Sequence, residues 1–81
     1  MKVSVEVFLK PGVLDVQGKA TEAALKGLGF ANVSDVRLGR IIRFNLAGAS
    51  ADEARAQAKA MADKLLANAV IESYSVEVSE A

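Results

Sequence analysis

The sequence predicts an α+β fold of order β-α-β-β-α-β, with two helices on one face of a four-stranded antiparallel sheet. Three observations lead there. Apolar and polar residues alternate strictly from Lys2 to Lys10. A segment of helical periodicity follows Asp15, and a second follows the sequence Ser50-Ala51-Asp52-Glu53. Period two marks a half-buried strand and period 3.6 a helix with one covered side.

In the first strand Val3, Val5, Val7 and Leu9 share one face, and Lys2, Ser4, Glu6 and Lys10 share the other with Phe8. Pro11-Gly12 ends it, because proline has no ladder donor and glycine permits unusual dihedrals. Asp15 is placed to cap a helix from Val16 to Leu28. Ala20, Thr21, Ala24, Leu25 and Leu28 gather on its apolar side, with Lys19, Glu22 and Lys26 opposite. Gly29 suits the left-handed stop.

Ala31 to Leu38 reads as a less regular strand, Gly39 as a tight turn, and Ile41 to Ala47 as the next strand. Ile42, Phe44 and Leu46 face one way there, and Arg43 and Asn45 the other. Ser50 and Glu53 form a capping box, in which the two residues satisfy free helix-start donors reciprocally. The helix behind it runs to Ala67, with a buried stripe of Ala51, Ala54, Ala58, Met61, Ala62 and Leu65, and Asn68 ends it. Val70 to Val78 is the last strand, with Tyr74, Val76 and Val78 inward and Ser73, Ser75 and Glu77 outward.

At 1.5 Å per residue the second helix is about 25 Å long, matching eight strand residues at about 26 Å. Two helices over a four-stranded sheet is the simplest arrangement of this order, a ferredoxin-like one. The 81 residues make one domain, 1–81, with a small core and a natural need for oligomeric support. The outer sheet face shows Phe8, Ile41, Arg43, Ser75 and Glu77. This mixed surface suits a partner or a second copy.

Composition narrows the chemistry. Ten basic residues balance ten acidic ones, which argues against nucleic acid and anionic membranes as partners. There is no Cys and no His, so the chain has no thiolate and lacks the commonest general base and metal ligand. The carboxylates form no catalytic pair by local spacing: Asp15 and Glu53 have capping roles, and Asp52 and Asp63 fall on a solvent side. Gly27 and Gly29 do not follow a strand into a helix start, so they make no phosphate-binding loop. An RNA-recognition module needs stacking aromatics on the open sheet face, where only Phe8 is placed. An acyl phosphatase on this fold would want an Arg and an Asn at the first helix start, and Asn32 and Asn45 stand elsewhere. The first residues show no signal-peptide core and no run reaches membrane-spanning length, so the cytoplasm is the expected compartment.

Lys10 to Gly18 is the most informative stretch. Gly18 in the first helical turn and Gln17 towards the apolar side fit a site where another backbone approaches closely. An ordinary loop, with Gly18 relieving crowding at the sheet edge, fits equally. Thr21 can bond back to its own helix. Ala56, Ala60 and Ala67 make a second alanine stripe, explained by helix propensity or by a close helix contact.

Lys10-Pro11-Gly12-Val13-Leu14-Asp15, Gln17-Gly18, Leu28-Gly29, Val36-Arg37-Leu38-Gly39-Arg40, Leu65-Leu66-Ala67-Asn68, Val70-Ile71-Glu72 and Tyr74 together resemble the PurS family over nearly the whole chain. Val16 and Ala69 stand where that family often has proline, and Arg40 where lysine is common. The resemblance implies a PurS-like fold and a non-catalytic small subunit of phosphoribosylformylglycinamidine synthase, in de novo purine biosynthesis. It implies a homodimer or homotetramer bridging a large synthetase subunit and a glutaminase subunit, for assembly and ammonia transfer. ATP and magnesium would sit on the large subunit, and this chain would bind no cofactor or metal of its own. Lys10, Pro11, Gly12, Asp15, Gln17, Gly18, Arg37, Arg40 and Asn68 are the candidate partner-interface residues. The alternative is a ferredoxin-like regulatory module that binds a small metabolite near Gly12 or Gly29.

Overall fold

Strand β1, Lys2–Leu9, lies at the centre of the sheet in a computed structural model that describes residues 1–80. On one side it pairs antiparallel with β2, Gly39–Asn45, and on the other with β3, Glu72–Ser79. Val5 faces Ile42 across one ladder and Val76 across the other. The expected alternation therefore sets the register: Val3, Val5 and Val7 are fully buried on one face. Ile42, Phe44, Tyr74, Val76 and Val78 flank them from the neighbouring strands.

Helix α2, Ala51–Met61, covers this face. Its buried residues Ala54 and Ala58, with Ala62 just past its end, recur every fourth position, and their small side chains let the helix lie close on the valines. Ser50 caps it, accepting a hydrogen bond from the Glu53 amide at 3.2 Å. The reciprocal half of the box differs from expectation, because the Ser50 hydroxyl donates to the Glu53 carboxylate instead. The helix does not stay α-helical to Ala67. Ala62–Leu66 forms a π-helical turn, closed by the Ala67 amide on the Ala62 carbonyl at 3.0 Å. The wider turn changes which side chains face the sheet. Leu66 and Ala67 pack against the core, whereas Leu65, expected in the stripe, is 84% exposed, and Ala51 is exposed as well.

Helix α1, Val16–Gly27, starts at the expected Asp15 cap and ends one residue early. Gly29, at φ 104°, supplies the left-handed exit. The helix does not share the sheet face with α2. None of its side chains joins the core, its one buried residue is Gly18, and Leu28 is 75% exposed. The molecule is correspondingly elongated, 49 × 28 × 14 Å.

The expected fourth strand is absent among the described residues: the sheet has three strands, in the order β2-β1-β3. Residues 31–38 form no ladder, and two of their amides are taken by side chains. The Val36 amide donates to Glu22 Oε1 at 3.3 Å, and the Leu38 amide to Asp15 Oδ2 at 2.8 Å. Asp35, at φ 54°, also breaks the extended course. Gly39 is no turn residue but the first residue of β2, opposite Phe8. A Cβ there would lie 2.6 Å from the Phe8 ring and from the Val7 carbonyl oxygen, so the ring packs over bare backbone. The last strand begins at Glu72 rather than Val70, because Asn68 to Ile71 forms a turn. In it Asn68 Oδ1 accepts from the Val70 amide at 3.0 Å.

Candidate functional site

The motif residues converge at one end of the sheet, where β1 leaves for α1 and the chain returns to β2. Asp15 holds this neck together. Its Oδ1 accepts from the Gly18 amide at 2.8 Å, which caps α1, and its Oδ2 accepts from the Leu38 amide. Asp15 as a whole is 5% exposed. Those amides, Leu38 first and then Gly18, hold its pKa below the usual value, and the Arg37 charge adds to them.

Arg37 is the second fastener. Its Nη2 donates to the carbonyls of Leu9 and Lys10 at 3.2 Å and of Val13 at 3.3 Å. Its Nε lies 4.0 Å from Asp15 Oδ2. One guanidinium thus gathers the loop that leaves β1 and ties it to the segment entering β2. Lys10 fastens the other side: its amide bonds the Ile71 carbonyl at 2.8 Å and its Nζ the Ala69 carbonyl at 2.9 Å.

Gly18 is required by a close approach within the chain. A Cβ there would collide with the Val36 carbonyl oxygen and lie 2.7 Å from Asp15 Oδ2. The approaching backbone is therefore the chain's own segment before β2. Gln17 is exposed, not turned to an apolar side, and borders a small cavity with Asp15, Leu38, Arg40 and Glu72. Pro11 and Gly12 are exposed at the loop tip.

Arg40 and Asn68 belong to a neighbouring cluster. Arg40 shares strand phase with Ile42 and Phe44, and Glu72 with Tyr74 and Val76, so both lie on the core-facing side beyond the valines. They form a two-pronged ion pair at 2.7 and 3.1 Å. Arg40 also donates to the Leu66 carbonyl at 2.6 Å, which closes the π turn onto the sheet. Glu72 accepts from the Asn68 amide at 2.7 Å. The Arg40 guanidinium, followed by that amide, holds the Glu72 carboxyl at about 2, and Glu72 in turn raises Arg40. Glu22 is likewise lowered, chiefly by the Val36 amide.

Arg37, Arg40 and Asn68 therefore make internal bonds, where the sequence suggested docking contacts. Glu22 and Glu72 are the structural residues that sequence reasoning did not single out as site members. For Glu72 a signal existed: opposite charges at in-phase positions of two core-facing strands. For Glu22 there was none beyond its i, i+4 pair with Lys26, which forms at 3.5 Å. Carboxylates held ionised by fixed donors are weak bases, so the arrangement serves positioning rather than proton transfer. Among the described residues no group of three or more His, Cys, Asp or Glu is placed to hold a metal ion, and no helix is long and apolar enough to cross a membrane. Around the neck and α1, large apolar side chains stand in solvent: Leu14 and Val16 at 68% exposure, Leu28, and Phe30.

Comparison with known proteins agrees with the motif reading. The family model for PurS, described as phosphoribosylformylglycinamidine (FGAM) synthase, matches residues 2–80. The chain is 43% identical over 79 residues to the phosphoribosylformylglycinamidine synthase subunit PurS of Bacillus subtilis, covering 98% of this chain and 93% of that one. Its structure is similar to that of Methanocaldococcus jannaschii PurS, a subunit of formylglycinamide ribonucleotide amidotransferase in the purine biosynthetic pathway. The TM-score is 0.90, with 34% identity and 99% and 96% of the two chains covered. It is also similar to a chain in the structure of PurLQS from Thermotoga maritima, with TM-score 0.86, 28% identity, and 94% and 93% coverage.

Proposed function

The chain belongs to the PurS family, and from that premise we propose that it is the non-catalytic small subunit of phosphoribosylformylglycinamidine synthase, a single domain over 1–81. In this reading it bridges the large synthetase subunit and the glutaminase subunit, as a homodimer or homotetramer in the cytoplasm, and supports ammonia transfer between them. ATP and magnesium are used on the large subunit. The similarity to a chain of PurLQS supports a three-subunit assembly.

The observation that carries the reading is the exposed apolar surface around α1. Leu14 and Val16 at the start of α1, and Leu28 and Phe30 just past its end, stand exposed beside a helix that the chain's own sheet does not cover. Patches of this kind mark surfaces that other proteins cover. The stapled neck holds that surface at a fixed angle to the sheet. Pro11, Gly12 and Gln17, exposed beside it, are the motif residues free to meet a partner, and Lys10, also exposed, is held next to them by its bond to the Ala69 carbonyl. Asp15, Gly18, Arg37, Arg40 and Asn68 act by giving the neck and its flank their shape.

Size-exclusion chromatography with light scattering tests this directly. The chain mixed with both enzyme subunits should elute as one complex containing all three, and alone as a dimer or tetramer. Co-elution of the two enzyme subunits to the same extent without this chain would contradict the bridging role.

A further inference from the structure

We propose that residues 14–36, α1 with the segment that returns from it, form an arm whose angle to the sheet is set by a polar lock at the neck. When the lock is broken, the arm is released as a unit while the sheet and α2 stay folded.

Three observations lead to this. First, the two halves are held by different forces. The sheet and α2 share a dry core of Val3, Val5, Val7, Ala54, Ala58 and Ala62, and no side chain of α1 belongs to it. Second, the arm joins the rest of the chain through two adjacent segments, 9–15 and 36–39. The bonds between these are few and specific: Asp15 Oδ2 to the Leu38 amide, and the Arg37 guanidinium to the Leu9, Lys10 and Val13 carbonyls. Third, the arm has its own internal tie, Glu22 Oε1 to the Val36 amide, so it leaves the neck as one piece. A 12-residue helix freed from its anchor is marginal in water, so release opens its amides to exchange. Regions with few buried apolar contacts and solvent-near polar bonds open at lower free energy than the core.

Asp15 does two jobs with two oxygens, and one substitution separates them. In Asp15→Asn the remaining oxygen still caps α1 at the Gly18 amide, because asparagine caps as well as aspartate. The new NH2 group cannot accept from the Leu38 amide, and the charge facing Arg37 is gone. The variant removes the lock and leaves the helix start. Arg37→Lys acts from the other side: it keeps the charge, but its shorter side chain sets the ammonium a bond length short of the Nη2 position that meets the three carbonyls.

The experiment is residue-resolved hydrogen exchange of the full chain, wild type against Asp15→Asn and Arg37→Lys. In the wild type, amides of α1 exchange faster than those of Val3, Val5 and Val7. In both variants the Leu38 amide and the α1 amides accelerate together, by about tenfold or more, the loss expected for a bond to a charged group. The β1 amides stay within about twofold of wild type. Equal acceleration of β1 and α1, an Asp15→Asn chain that does not fold, or no acceleration at Leu38 and α1 would each overturn the proposal.

Discussion

The two halves of the molecule solve the same problem with different means. The sheet and α2 bury valine and alanine side chains completely, and their polar groups are met by ladder and helix bonds. The arm buries almost nothing and is held by carboxylates and a guanidinium bonding backbone groups at the neck. Burial is non-directional and tolerates small shifts. Bonds at the neck are directional and fix an angle. The difference teaches where position matters most: at the apolar surface that a partner would cover.

The largest effect belongs to the core. Val5→Ala should lower unfolding free energy by about 2–3 kcal/mol in a denaturant titration, from lost burial plus a residual cavity. A pair of glycines sharpens the contrast. Gly39→Ala drives a Cβ against the Val7 carbonyl oxygen and the Phe8 ring, inside the sheet, and should cost about 1–3 kcal/mol of global stability. Gly18→Ala drives a Cβ against the Val36 carbonyl oxygen, at the neck. Its global cost is limited to the free energy of opening the neck, so it should show chiefly as lost exchange protection in α1. Equal global losses for the two would erase the distinction between the halves.

Acid comes next. Glu72 is held at about 2 against an ordinary 4.5, so its folded state favours the ionised form. The stabilisation it brings is fully present above 4.5 and is lost as pH falls through about 2. Thermal melts from pH 5 downward should therefore fall less steeply for Glu72→Gln than for wild type; parallel curves would contradict the assigned ion pair. Asp15 and Glu22 are lowered in the same sense, so acid also weakens the arm's ties. The smallest effect is Leu65→Ser, within about 0.5 kcal/mol, because the π turn leaves Leu65 in solvent.

Local pattern was enough to read what local physics decides. The alternation of Val3, Val5 and Val7 marked the central strand, the i, i+4 alanines marked the face of α2, and Asp15 and Ser50 marked both helix starts. Several of the misreadings have distant causes. Residues 31–38 carry apolar residues as a strand does, but the Val36 and Leu38 amides are claimed by Glu22 and Asp15, 14 and 23 positions away. The internal bonds of Arg37 and Arg40 were not legible, because their acceptors lie 24 to 32 positions off. Leu65 followed the α-helical stripe until one wider turn moved it out. Within the motif Lys10 to Gly18, the contacts of Lys10, Asp15 and Gly18 run to other parts of the chain, which local pattern does not show.

The most direct test of the subunit role compares two ammonia sources in the reconstituted enzyme. With glutamine as donor, formylglycinamidine ribonucleotide synthesis should depend on this chain, and with free ammonium it should depend on it far less. Equal glutamine-dependent rates with and without the chain would contradict the account.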